Sequence, residues 1–176
     1  MRGRAVQCPP GVIRPAMDRM RESLFSIIES NYGGLQGVSF LDLFSGSGLV
    51  GLEAYSRGAS PVTLVEKDRG KRTVILQNCA GLSPAPILRI SPVERFIQQN
   101  RTGYAVVYLD PPFDYRHKVD LLKRLATSRT ILPEGSVVII HAPRTEVLPE
   151  HLETLSLSDQ RDYGGSRITI FTTTVR

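Results

Sequence analysis

A glycine-rich segment of the sequence combines an acid with closely spaced glycines. It begins with Asp42, and Gly46, Gly48 and Gly51 follow in the pattern G-x-G-x-x-G. Glycines at this spacing let a backbone turn tightly and approach a ligand closely. Glu66 lies 20 residues after Gly46, where a carboxylate can accept hydrogen bonds from both hydroxyls of a ribose. The pattern therefore predicts a nucleoside site.

The acid at the start of this segment distinguishes between two kinds of nucleoside ligand. A dinucleotide presents a pyrophosphate anion to the N-terminus of the following helix, and Asp42 would repel that anion. S-adenosylmethionine carries an amino group and a sulfonium, both positively charged, which a carboxylate attracts. Asp42 therefore favours S-adenosylmethionine as the cofactor. A nucleotide-dependent oxidoreductase remains an alternative.

A second segment, Asp110-Pro111-Pro112-Phe113, follows an apolar run. The two prolines have no backbone N–H, so the segment presents two acceptors, the Asp110 carboxylate and the Pro111 carbonyl. Two acceptors can hold both hydrogens of an exocyclic amine, and Phe113 can stack on a base that has left its helix. We therefore expect methylation of an amino nitrogen on a nucleic-acid base, with Asp110, Pro111 and Phe113 as the catalytic residues.

Strands and helices alternate along the chain in a way that brings these segments together. This alternation predicts an α/β fold, a Rossmann-like mostly parallel sheet with helices on both faces, which binds ligands beyond the carboxyl ends of its strands. The predicted strands are 38–43, 61–66, 87–90, 104–109 and 136–141, and the helices between them are 49–57, 69–80, 93–100 and 118–127.

The two ends of the chain differ from this alternation. We expect a basic N-terminal extension over residues 1–17 and the cofactor-binding domain over residues 18–176. The first helix is predicted from Asp18, as its N-cap, to about Ser30. The residues around Gly164 alternate between polar and apolar types, which predicts an antiparallel strand pair at 155–162 and 167–175.

Composition limits the classes of partner. The chain has 176 residues, a formal charge of +5 and a pI of about 9.5, and residues 1–21 hold five arginines against one acid. This charge is compatible with a polyanionic partner but does not require one, and a solvated basic tail would explain the N-terminal arginines equally well. Two cysteines and three histidines lie scattered, so we expect no metal site and a surface or structural role for each histidine. Because the cysteines show no disulfide pattern, we expect a cytoplasmic protein, and because the sequence has no long apolar run, we expect no membrane span. We also expect a monomer.

Taken together, the motifs resemble the bacterial 16S ribosomal RNA guanine-N2 methyltransferases of the RsmD family, a group of class I S-adenosylmethionine-dependent methyltransferases. The resemblance covers nearly the whole chain, and its most specific block runs from Arg14-Pro15 through Asp18-Arg19-Met20-Arg21-Glu22-Ser23-Leu24-Phe25. The other matching segments are Arg2-Gly3-Arg4, Phe40 through Glu53, Leu64 through Asp68, Leu109 through Phe113, and Tyr163-Gly164.

The resemblance implies a seven-stranded sheet whose last strand is antiparallel, and methyl transfer to guanine N2 in 16S ribosomal RNA. The chain departs from the family at two strand ends. At the third, family members usually have an acid or amide followed by alanine, and this chain has Ser91-Pro92. At the fifth, they usually have an acid, and this chain has His141. The residues expected to bind the cofactor are Asp42, Phe44, Gly46, Gly48, Glu66, Lys67, Ser91 and Asp110. Those expected to bind RNA are Arg2, Arg4, Arg14 and Arg19.

Two other functions share some of these features. A DNA adenine-N6 methyltransferase uses the same Asp-Pro-Pro-Phe motif, although 176 residues leave little room for a separate target-recognition region. A non-catalytic RNA-binding module would explain the basic charge, but it would not need an intact motif at Asp110.

Overall fold

One mixed sheet of eight strands forms the centre of the molecule. The structure is a computed structural model that describes residue 7 and residues 15–174, without the side chains of residues 15 and 16. The strands are β1 (Phe40–Leu43), β2 (Val62–Glu66), β3 (Ile87–Ile90), β4 (Val106–Leu109), β5 (Val137–Pro143), β6 (His151–Leu152), β7 (Leu155–Tyr163) and β8 (Ser166–Thr173). The helices are α1 (Pro15–Tyr32), α2 (Leu49–Ser56), α3 (Arg72–Cys79), α4 (Val93–Gln99) and α5 (Lys118–Thr127), with a 3₁₀ turn at Arg69–Lys71.

The order of the strands is β3-β2-β1-β4-β5-β8-β7-β6. The first five strands in this order are parallel, and β8 runs antiparallel between β5 and β7. The chain moves outward from β1 to β3 and then returns to place β4 on the other side of β1. This reversal is the switch point at which such sheets bind ligands, and it confirms the predicted fold class.

The sheet has an apolar layer on each face. Helices α4 and α5 pack on one face, with Phe96 and Leu122 against strand residues such as Val107. Helices α1, α2 and α3 pack on the other, with Phe25 and Ile75 in the same buried cluster. Strands buried on both faces read as continuous apolar runs, which is why β4 and β5 are so apolar.

The structure corrects several predicted boundaries. Helix α1 begins at Pro15 rather than at Asp18, because proline suits the first helical position, where no N–H partner is required. Asp18 therefore lies inside the first turn, 3.0 Å from the Arg21 guanidinium. The helix also continues across residue 17. The predicted division into an N-terminal extension, 1–17, and a domain, 18–176, stays a prediction. The sheet has eight strands rather than seven because the two-residue β6 pairs with the start of β7.

The C-terminal strand pair is confirmed as antiparallel, and it reaches the N-terminal helix. Ser23 on α1 forms a hydrogen bond with the Tyr163 hydroxyl at the end of β7. This contact joins the first described helix to the last hairpin of the sheet. In the part of the chain that the structure describes, no helix is long and apolar enough to cross a membrane.

Candidate active site

The glycines that follow β1, in the loop and in the first turn of α2, serve two different purposes. Gly46 has φ +58°, and a Cβ there would meet no atom within 4 Å, so the loop leaves open space at this point. At Gly51, a Cβ would lie 2.2 Å from the Leu64 side chain. Gly51 therefore lets α2 lie directly on β2, while Gly46 provides the turn and the room for a ligand.

Glu66 is held at the end of β2 by backbone donors on both sides. Its Oε2 accepts from the Gly46 N–H at 2.8 Å, and its Oε1 accepts from the Asp68 N–H at 2.9 Å. The Lys71 ammonium lies 3.5 Å from Oε2. A carboxylate oxygen has two lone pairs, so each oxygen of Glu66 can accept one further hydrogen bond.

Asp42 lies near the end of β1, where the sequence predicts it, but its side chain is buried. It lies on β1, 1% exposed, and its Oδ2 accepts from the Gly51 N–H at 2.9 Å. Burial raises the pKa of Asp42 to about 8; the Gly51 hydrogen bond opposes this, and the negative charges of Asp110 and Glu66 add to it. Asp42 is absent from the wall of the cavity described below, so it supports the glycine loop from behind.

The segment after β4 is joined to the neighbouring strand β1 and leaves its aromatic ring exposed. The Asp110 N–H donates to the Leu43 carbonyl at 3.3 Å, which ties the segment to the end of β1. Pro111 is buried, whereas Phe113 is 51% exposed. An aromatic ring so exposed at the end of a parallel sheet is available to stack on a flat ligand.

A buried lysine, which the sequence reasoning missed, fixes this segment. Lys118 is 1% exposed, and its ammonium donates to the carbonyls of Phe113 at 3.0 Å and Tyr115 at 2.5 Å. The Glu146 carboxylate lies 3.0 Å from the same ammonium. Three acceptors match the three N–H bonds of a lysine. The only sequence signal is spacing: Lys118 lies three and four positions before Leu121 and Leu122, and so on the same buried side of α5.

His141 was also missed as a site residue. It is 6% exposed on β5, and its Nδ1 lies 2.9 Å from Asp110 Oδ1. Its ring meets the Phe113 ring edge-on, with 5.5 Å between centroids. The sequence signal was its place at the end of the strand beside β4, because neighbouring parallel strands end at the same edge of a sheet.

The third strand end differs from the prediction at Ser91. The Ser91 hydroxyl donates to the Pro92 carbonyl at 3.0 Å rather than into the cavity. Glu94, one turn further on, accepts from the Tyr115 hydroxyl at 2.5 Å. Burial raises the pKa of Tyr115, as does its bond to Glu94. Burial acts to raise the pKa of Glu94, but the Tyr115 hydrogen bond, a backbone hydrogen bond and the positive charges of Lys67 and Arg124 together lower it.

One cavity of about 690 Å³ joins these strand ends. Of the predicted site residues, it is lined by Phe44, Gly46, Glu66, Lys67, Asp110, Pro111 and Phe113. Asp42, Gly48 and Ser91 are absent from its wall. His141, Glu94 and Tyr115 line it without having been predicted, and so do Met17 and Met20 of α1.

The predicted RNA-binding arginines are only partly covered by the structure. Arg19 is exposed on α1, in the same turn as the cavity residues Met17 and Met20. Arg2, Arg4 and Arg14 lie outside the described residues.

Comparisons with known proteins agree with this fold. The model of a family described as "Conserved hypothetical protein 95" matches residues 1–172. YlbH of Bacillus subtilis is 28% identical over 97% of this chain and 94% of its own length. Ribosomal RNA small subunit methyltransferase D of Escherichia coli is 39% identical over 115 residues, which cover 64% of this chain and 56% of that protein.

A solved structure gives the same result. The structure of a conserved hypothetical protein from Streptococcus pyogenes superimposes with a TM-score of 0.79 at 31% identity, covering 88% of this chain and 95% of that one. The family match extends over almost the whole chain and includes both the glycine loop and the Asp110 segment. The chain therefore belongs to the Conserved hypothetical protein 95 family, which confirms the resemblance to the RsmD family.

Proposed function

We propose that this chain transfers a methyl group from S-adenosylmethionine to the exocyclic N2 of a guanine in 16S ribosomal RNA. The observation that carries the proposal is one cavity whose wall includes both the predicted nucleoside site, at Gly46 and Glu66, and the predicted base site, at Asp110 and Phe113. A methyl donor and an amine that accepts the methyl group must meet in one space, and this cavity supplies it.

The residues present fit S-adenosylmethionine. The cavity volume of about 690 Å³ falls within the range of roughly 300–1,000 Å³ that is usual for small-ligand sites. Glu66 keeps one acceptor site on each oxygen, which suits two ribose hydroxyls. Three acids line the cavity, Glu66, Glu94 and Asp110, against two lysines, Lys67 and Lys71. This excess of acid favours a positively charged ligand.

The predicted cofactor residues divide by how they act. Phe44, Gly46, Glu66, Lys67 and Asp110 line the cavity, so we assign them direct contact with the cofactor. We assign an indirect role to the remaining three, which shape the loop and the third strand end from outside the cavity wall: Asp42, Gly48 and Ser91.

When bound, S-adenosylmethionine supplies a methyl group whose bond to sulfur breaks as its bond to the amine nitrogen forms, the electron pair staying on sulfur. Asp110 and the Pro111 carbonyl accept the two N–H bonds of the amine and direct its nitrogen toward the methyl group. Phe113 stacks on the base. The Asp110 carboxylate stabilises the positive charge that grows on the nitrogen, and one proton leaves the nitrogen after the transfer.

The choice of ribosomal RNA rests on the relatives and on charge. The Escherichia coli relative is named as a methyltransferase of small-subunit ribosomal RNA. The excess of arginine near the N-terminus suits phosphate contacts, and we assign these to Arg2, Arg4, Arg14 and Arg19. Arg19 lies beside the cavity residue Met20, so RNA held there would reach the cavity. We further propose that the protein acts in the cytoplasm as a monomer.

The test is methylation of defined nucleic acids by the purified chain. Unmodified 16S ribosomal RNA, reconstituted small-subunit particles and duplex DNA are each incubated with S-adenosylmethionine, and the digested nucleosides are identified by mass spectrometry. We expect N2-methylguanosine from the RNA or the particles, and at least about 100-fold slower formation with the Asp110→Ala variant. Methylated adenine from DNA would support the alternative function, and no methylated nucleoside from any substrate would contradict the proposal.

A further inference from the structure

We infer that His141 is a positioning residue that orients the Asp110 carboxylate for methyl transfer. The inference rests on the proposed function. Leu109 on β4 and Ile140 on β5 are register partners, so Asp110, the first residue after β4, lies beside His141, the next residue of β5. The result is a 2.9 Å contact between His141 Nδ1 and Asp110 Oδ1.

The direction of this hydrogen bond follows from the chemistry of its partners. An ionised carboxylate only accepts hydrogen bonds, so Nδ1 of His141 must carry the proton that it shares with Asp110. The bond occupies Oδ1 and stops the carboxylate from rotating about its Cβ–Cγ bond. We assign Oδ2 to accept from the amine of the base.

The surroundings of the imidazole suit this role. His141 is 6% exposed, and its Nε2 is buried with no hydrogen-bond partner among the described residues. The bond to Asp110 is therefore the polar contact that sets the direction of the ring. A neutral imidazole donates this bond without cancelling the negative charge of Asp110, whereas an acid at this position would repel it.

His141 also supports the aromatic residue of the segment. The Phe113 ring lies edge-on to the imidazole, with an interplanar angle of 65°. One buried side chain thus contacts both the acceptor for the amine and the ring proposed to stack on the base. Losing it would allow both to shift, and a displacement of about 1 Å in a reacting group can cost about 100-fold in rate.

The first test compares three substitutions at position 141. Asn places an amide N–H close to where Nδ1–H lies, Gln places its amide one bond further out, and Leu has no donor. We expect kcat to fall about 10- to 100-fold in His141→Leu and His141→Gln but only a few-fold in His141→Asn, with the affinity for S-adenosylmethionine unchanged in all three. A role limited to packing would give the opposite order, because the volume of Gln is nearer to that of histidine than the volume of Asn is.

A matched control is available on β6, a strand at the edge of the sheet that does not pair with β5. The Nδ1 of His151 lies 3.2 Å from the Ser156 hydroxyl, and His151 is exposed. His151→Asn should leave kcat unchanged. Equal activity in His141→Leu and the wild type would overturn the inference, as would equal losses in all three His141 variants.

A second measurement does not depend on activity. The chain has three histidines, so ¹⁵N spectra of their ring nitrogens can be assigned by single substitutions. We expect the neutral His141 to carry its proton on Nδ1, and this preference to be lost in Asp110→Ala. A proton on Nε2 in the wild type would overturn the inference. If the wild type methylates no guanine but its spectra show the Nδ1–H form, the proposed function fails and the orientation of Asp110 by His141 stands.

Discussion

Replacing Asp42 with asparagine should make the protein more stable at neutral pH. Asp42 is 1% exposed, and its carboxyl group accepts a hydrogen bond from the Gly51 N–H. Asparagine has almost the same shape, and its amide oxygen can accept the same hydrogen bond. The substitution therefore removes the ionisable group and keeps the contact that shapes the glycine loop.

The size of the effect follows from the pKa of Asp42, which burial raises from 3.8 to about 8 in the folded state. The folded protein then holds a proton that the unfolded chain releases above pH 3.8. The stability that this proton provides is complete below pH 3.8 and is lost as the pH rises toward 8. Between pH 5 and pH 8 the loss is on the order of 4 kcal/mol.

Urea unfolding at pH 5 and at pH 8, at one ionic strength, measures this difference. We expect the wild type to lose stability relative to Asp42→Asn over this range. The matched control is Asp68→Asn, because Asp68 also accepts a backbone N–H, from Gly70 at 2.8 Å, but is exposed. The reasoning fails if Asp42→Asn is less stable than the wild type at pH 8, or if both proteins respond equally to pH.

Three further predictions concern the proposed reaction. Glu66→Ala should weaken S-adenosylmethionine binding about tenfold or more, since hydrogen bonds to a charged acceptor contribute roughly 1.5–3 kcal/mol; unchanged affinity by calorimetry would show that Glu66 is not the ribose ligand. Asp110→Ala should lower single-turnover methylation at least about 100-fold and leave cofactor binding largely intact, and Asp110→Asn, which keeps one acceptor oxygen, should retain more activity; full activity in the Ala variant would remove Asp110 from the mechanism. Replacing Arg2, Arg4 and Arg14 with Ala should weaken RNA binding and flatten its dependence on salt; an unchanged salt slope would place the RNA elsewhere.

Much of the fold could be predicted because its signals are local. The alternation of apolar runs with helical segments gives the parallel sheet, and glycine patterns mark the loop after β1. Parallel strands end at one edge, so the sequence also predicts that Glu66 and Asp110 come close together. Both do line one cavity.

The remaining features depend on contacts between distant parts of the chain. The side of β1 that Asp42 faces is set by the sheet register and not by neighbouring residues. Lys118 pairs with Glu146, 28 positions away, and His141 meets Asp110 only because β5 lies beside β4. Such partners become visible only when the order and register of the strands are known.

The place of β8 in the sheet has a consequence for local unfolding. Among the described residues this strand follows all the others in sequence, yet it lies between β5 and β7 and not at an edge. If residues 166–173 detach, the facing sides of β5 and β7 both lose their backbone partners, and unpaired strands of this kind are templates for aggregation. Opening of this one strand therefore exposes two strand edges that the folded sheet covers.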